Sequence, residues 1–372
     1  AIGQEAFSTN TTGSYNVGIG YNALKLSQTA ANNTAMGYNS LTANTTGYDN
    51  IAVGSAALGA NTEGFRSTAV GTNALDANTT GDNHVAIGYD ALGANTTGGD
   101  NVAVGYSALG ANLTGNNLVA VGTNALDANT TGTHNVGVGH HALGANTTGT
   151  YNVAVGIDTL DANTDGIRNT AVGYGSLGTN STGDNHTAFG YNALTANTTA
   201  DNNTAFGYSA LGTNTTGTAN TGLGHNALGS QTTATNNTAV GYAAGTTNET
   251  GSSNVVVGHH AFYYNTTGAN NTAIGQGALH RNTTAANNTC VGMSAGQFIN
   301  TGANNTILGH SCGDNITTGT YNICIGATAD PSAVDSSFQI VMGSAIAGTE
   351  NYQFTFGTTN SIVQNEFDTD AA

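Results

Sequence analysis

Charge is what this chain has least of. Charged residues make up 7% of its 372 positions, where a globular domain usually carries about 25%. Only Lys25, Arg66, Arg168 and Arg281 are cations, against 21 acids, so the formal net charge is −17. With no basic stripe, an acidic surface repels phosphate backbones and anionic lipid, and no nucleic-acid partner is expected. No apolar run approaches the roughly 20 residues of a membrane span and no leader pattern is visible, so no membrane insertion is expected either. Cysteine is scarce too: Cys290, Cys312 and Cys324 form no CxxC spacing. Cys290 and Cys324 occupy the same phase of a repeat two rungs apart, roughly 9 to 10 Å, which is too far for a disulfide. They read as small core residues standing in for alanine.

Tryptophan is absent and proline occurs once, while glycine reaches 54. Such low complexity can mean disorder, but disorder does not hold Val or Ile at one phase of a repeat. The repeat is found by following the glycine that closes Asn-Thr-Ala-Val-Gly at 169–173. It recurs at Gly3, Gly20, Gly37, Gly54, Gly71, Gly88, Gly105, Gly122, Gly139, Gly156 and Gly173 and onward to Gly343, always 17 residues apart, giving 20 intervals and 21 rungs. A short period held without insertion marks a solenoid and overrides the two or three domains that length alone suggests. The predicted fold is all-β, a parallel β-solenoid or β-roll of 17-residue rungs over residues 1–326, with a C-terminal cap or transition segment at 327–372. There the pattern degrades through Ala329, Asp330 and Pro331, and 352–357 (YQFTFG) alternates like an ordinary strand. At about 4.8 Å per rung the repeats would make a rod roughly 100 Å long. The chain begins in phase with the repeat, as a fragment or processed product would.

Aligned on the glycine, a rung reads N-N-[TV]-A-[VI]-G-[YTH]-x-A-L-x-A-N-T-T-G-x. Large apolar residues (Val53, Val70, Ile87) and the Val or Thr two places earlier (Val85, Val102, Thr170) alternate as a strand does and share one face. The Ala or Gly between them (Ala52, Ala69, Gly137) faces the other way, and its smallness predicts a close approach by a facing strand or another subunit. The repeat glycine is read as a strict turn. The second turn, at Gly47, Gly64 and Gly81, is looser, because it admits Ala30, Ala200, Ala234 and Ala285. Leu24 to Leu228 is leucine in 13 consecutive rungs, so Leu41, Leu58, Leu75, Leu92 and Leu109 are predicted to form a buried ladder. Where that column turns to Gly296 and Gly313, Ile299 and Ile316 replace the asparagine three residues later, so the asparagine column (Asn44, Asn78, Asn95, Asn129) is predicted to point inward. Gly245 followed by Asn248 is the exception. The column after the glycine is mostly Tyr (Tyr38, Tyr89, Tyr106, Tyr174, Tyr191) and is assigned to surface contact.

Motifs with chemical meaning are numerous but follow from the repeat. Asn-Thr-Thr, Asn112-Leu-Thr and Asn248-Glu-Thr match a glycosylation acceptor, yet an inward Asn is unavailable. Threonine at Thr46, Thr80 and Thr97 suggests an ice-binding array, although these lie in a turn rather than on a strand. His140–His141, His259–His260, His225 and His310 have no second ligand at metal spacing. Asp76, Asp127 and Asp161 are too sparse for a calcium ladder, and the nonapeptide of calcium-binding solenoids is missing. No carboxylate pair or nucleophile arrangement stands out. The expectation is therefore no enzyme, no metal and no cofactor.

The unit Asn-Thr-Ala-Val-Gly-Tyr-x-Ala-Leu resembles the N-S-V-A-I-G repeats of trimeric autotransporter adhesin heads, which also occur in bacteriophage tail fibres. The adhesins' unit is shorter. The stretch from Phe354 to Ala372 is similar to the one preceding the self-cleaving intramolecular chaperone of endosialidase-type tail fibres. That resemblance implies a homotrimeric, non-catalytic shaft or distal part of a phage tail fibre, on the virion or an extracellular surface, that touches host cell-surface glycan. A bacterial adhesin head, an ice-binding solenoid and a polysaccharide-cleaving spike are the alternatives. Three chains at −17 each would carry −51, which suits a salty medium. With so few ion pairs to screen, the thermal unfolding midpoint should move little between low and high salt; a steep dependence would contradict this.

Overall fold

The computed structural model describes residues 1–366, and its backbone divides into two compact units, Ala1–Asn185 and the part from His186 onward. In the first unit three-residue strands recur from Val17–Ile19 to Thr170–Val172, each parallel to the next and in register, as where Val85, Ala86 and Ile87 face Val102, Ala103 and Val104. In the second they run from Thr187–Phe189 to Ile323–Ile325. Ile340–Ser344 then continues the same register, with Ile325 opposite Met342. Gln353–Thr358 pairs in parallel with that strand, Gly357 opposite Gly343, so the last coil is 14 residues long. Ser361–Glu366 closes the edge antiparallel. Both units are thus parallel β-solenoids of 17-residue rungs. Residues 367–372, which belong to the tail-fibre-like C-terminal stretch, lie outside the described residues.

The strand face is the reverse of what its apolar residues suggest. Ala52, Ala69, Ala86 and Ala103 are fully buried, whereas Ile51, Val70, Ile87, Phe206, Leu223 and Leu308 are 36–49% exposed. What approaches the small residue is neither a facing strand nor another subunit. A Cβ on Gly137 would stand 3.3 Å from Leu126 Cγ and 3.0 Å from the Ala142 carbonyl oxygen. The leucine ladder fills the narrow interior, and only alanine-sized groups fit against it.

Leu41, Leu58, Leu75, Leu92 and Leu109 are fully buried, with left-handed φ of 47°, 51°, 53°, 54° and 53°. That conformation costs a non-glycine residue about 1–2 kcal/mol, while burying leucine returns about 1.5–3 kcal/mol, so the side chain holds the backbone in place. Glycine in this column relieves the strain, provided the lost volume is replaced. A Cβ on Gly296 would lie 2.7 Å from Cys290 Sγ and 2.8 Å from Ile299 Cδ1, and one on Gly313 would lie 2.8 Å from Ile307 Cδ1. The exception at Gly245 has the same explanation: Leu228 Cδ2 is 3.1 Å away, and Val256, replacing the usual alanine, reaches 3.9 Å. The three cysteines are free and buried among these small positions.

The asparagine column does point inward, where its amides form ladders. Asn78 Nδ2 donates to Asn61 Oδ1 and to the Gly81 carbonyl, both at 3.0 Å, and Asn95 Nδ2 donates to Asn78 Oδ1 at 2.9 Å. A second, equally buried column was hidden in the doubled N-N. Asn50 N–H donates to Asn33 Oδ1 at 2.9 Å and its Nδ2 to the Gly64 carbonyl at 2.8 Å. That same carbonyl accepts from Asn61 Nδ2 at 3.0 Å. Where Ile299 interrupts the first column, Asn282 Oδ1 is left buried without a partner. The acceptor-type Asn78, Asn95, Asn112 and Asn248 are all at most 1% exposed, so glycosylation cannot reach them in the folded chain.

The two turns differ in backbone. Gly71 has φ 142°, and its Cβ would run into the Gly88 carbonyl. Gly81 lies outside the left-handed region; its Cβ would crowd the Gly98 carbonyl and lie 2.6 Å from Asn78 Oδ1. Buried Ala30, Ala200, Ala234 and Ala285 at the second turn show that this crowding can relax. Gly71→Ala should therefore lower the thermal midpoint more than Gly81→Ala, and equal tolerance would contradict the assignment.

His84 replaces asparagine in the second column and is 1% exposed; its Nδ1 accepts from Asn101 N–H at 3.4 Å. Burial pushes its pKa down from 6.5 to about 4. The unfolded chain therefore takes up the proton first. The penalty is absent above pH 6.5, grows as pH falls toward 4, and reaches roughly 3 kcal/mol. His84→Asn should match the wild type near pH 7 and outlast it increasingly below pH 6 in melting experiments; a constant gap would refute this.

Candidate functional site

With the amides and leucines inside, recognition chemistry is left to the outer columns. The tyrosines flank the glycine corner: Tyr38, Tyr89, Tyr106, Tyr174 and Tyr191 are 46–56% exposed. Rung spacing stacks them, Tyr89 on Tyr106 at 5.4 Å and 10°, and Tyr191 on Tyr208 at 5.2 Å and 6°. In the second unit the stack continues through His225 and Tyr242 to His259. Stacked rings turn their faces to one another and offer solvent only edges and polar tips. Beside them runs the outward apolar strand face, forming in each unit a stripe that isolated surface hydrophobes do not make.

The histidine pairs separate by surroundings. His140 and His141 meet acids, with Nδ1 of each 3.9 Å from Asp158 and 4.0 Å from Asp161 respectively. Burial raises the carboxyl pKa of half-buried Asp76, Asp127 and Asp161. His259 and His260 stack at 4.1 Å. Together with His280, Gln276, Met293 and Gln297 they line a cavity of about 210 Å³. Burial, then the charge of His259, lowers the pKa of His260; burial, then His260 and Arg281, lowers that of His280. Among the described residues no three His, Cys, Asp or Glu side chains are placed to hold a metal ion.

One patch departs from the repeat on an adjoining face. The position before the inward asparagine or its equivalent is a small residue in rung after rung, alanine at Ala43, Ala60, Ala77 and Ala94 and Thr or Ser at Thr213, Ser230 and Thr247, but becomes Tyr264, Arg281 and Phe298 in three successive rungs. With Thr266, Thr283, Asn300 and Thr317 these side chains line an open groove of about 680 Å³. The Arg281 guanidinium lies over the Phe298 ring, Cζ 5.1 Å from its centroid. Reading the columns for their consensus passes over this patch; reading them for consecutive exceptions finds it.

Compared with known proteins, the chain matches no family model and no curated protein. The fold itself defines the class, a repeat β-solenoid scaffold. Among the described residues no helix is long and apolar enough to cross a membrane.

Proposed function

We propose that this chain is a structural and adhesive element, the shaft or distal part of a bacteriophage tail fibre, acting as a parallel homotrimer on the virion and without catalysis. The observation that carries the reading is the outward strand face. Apolar residues such as Ile51, Val70, Ile87, Val121 and Val155 stand 36–44% exposed there, in a protein with few charged residues. A second and third copy laid in parallel register would set each apolar column against its own equivalents, and burying such surface is worth about 25 cal/mol per Å². Because the surface repeats, small contacts per rung add along the chain. The resemblance to trimeric adhesin heads points the same way, and a bacterial adhesin head would use the same assembly. The tyrosine column borders the stripe and leaves its hydroxyl edges for weak, repeated contacts with host-surface glycan, which gain strength through avidity.

Light scattering at micromolar concentration should give about three times the chain mass of 37.0 kDa. The combined Val70→Lys, Ile87→Lys and Val121→Lys variant should dissociate at lower temperature. A mass near one chain would contradict the trimer. Thermal hysteresis would instead select the ice-binding alternative, and release of reducing ends from polysaccharide would select the cleaving spike.

A further inference from the structure

We propose that the groove of Tyr264, Arg281 and Phe298 is a binding site for a saccharide bearing a carboxylate, such as a uronic or sialic acid unit. The proposal rests on the adhesive reading and gives it a location distinct from the tyrosine column.

Arg281 is the one cation of the second unit. Among the described residues no carboxylate lies within 4.0 Å of its guanidinium, whereas Lys25 is paired with Glu5, so its charge has no partner among them. Its neighbour Phe298 supplies a ring face 5.1 Å from Cζ. Stacking there holds the planar guanidinium and leaves its edge free, the arrangement that grips a carboxylate through two parallel N–H donors. No such stacking joins Arg281 to Tyr264, the large residue of the preceding rung. Tyr264 is 50% exposed and stands edge-on to Tyr263 and His280, at 81° and 89°. Unlike the stacked tyrosines, it can offer a ring face to the C–H face of a sugar.

The remaining lining suits hydroxyls. Thr266 and Thr283 donate their hydroxyl protons to the Thr283 carbonyl at 3.1 Å and to Asn300 Oδ1 at 2.5 Å. Their oxygen lone pairs remain as acceptors, and Asn300 Nδ2 remains a donor. A volume of about 680 Å³ falls within the range of small-molecule sites. An acidic peptide would also bring a carboxylate. It is the weaker fit, since the strands of these rungs are paired on both sides and leave no free edge for main-chain pairing.

The test uses the full chain against immobilised oligogalacturonate and oligosialate, the carboxyl-reduced neutral form of each, a sulfated oligosaccharide and oligoglutamate. Tyr264→Ala, Arg281→Ala and Phe298→Ala each install the alanine that this column carries at Ala43, Ala60, Ala77, Ala94 and Ala196, so the fold is kept. The proposal expects binding to a carboxylated saccharide over its neutral form, weakened about ten-fold or more by Arg281→Ala, weakened by Tyr264→Ala, and only partly restored by Arg281→Lys. Carboxylated saccharide bound equally by wild type and Arg281→Ala would overturn this site and leave the adhesive reading standing. Binding confined to neutral or sulfated saccharide, or to oligoglutamate, would overturn the ligand assignment. No binding to any saccharide would overturn both readings.

Discussion

Each rung grips the next through a carbonyl that two buried asparagines share. The carbonyl at the second turn, as at Gly64, accepts one amide from each asparagine column, and both columns pass hydrogen bonds on to the neighbouring rung. A buried amide left unpaired costs about 1–3 kcal/mol, so the asparagine, the carbonyl and the register must repeat together. This is the physical reason for a period of 17 residues without insertion: one extra residue would orphan two columns at once. The unpaired Asn282 Oδ1 marks what an interruption costs, at a place where Ile299 compensates by filling the space above a glycine.

The same constraint decides where apolar side chains go. An interior already occupied by two amide columns and a leucine ladder has room on its strand side only for alanine, so Val, Ile and Phe are turned outward. An outward apolar face is expensive in a monomer, and it is the surface the proposed trimer would bury. Irregularity then marks the site proposed for recognition. Where the alanine before the inward asparagine is replaced in successive rungs, the fold is unharmed and a groove opens.

Much of this was legible in the sequence, because period, glycine corner, leucine ladder and inward asparagine all leave fixed-phase traces. The strand face was not, since large apolar residues normally point inward and only the interior's width reverses that rule. The left-handed φ of Leu41 or Leu75 left no trace either: leucine is a poor residue for that conformation, and burial alone holds it there. The second asparagine column was visible in letters but not in role, because adjacent asparagines commonly mark exposed turns. The groove was written in Tyr264, Arg281 and Phe298, although its meaning depends on three rungs being neighbours in space.

Amide ladders, as much as apolar burial, hold the rungs together. Replacing Asn78 with leucine tests this, because leucine keeps the branched outline of four side-chain heavy atoms, removes the amide donor and acceptor, and adds apolar surface to the core. A clear fall in the unfolding midpoint is expected, since Asn61 Oδ1, Asn95 Nδ2 and the Gly81 carbonyl all lose a partner. A midpoint unchanged or raised in Asn78→Leu would show instead that apolar packing alone carries the stack.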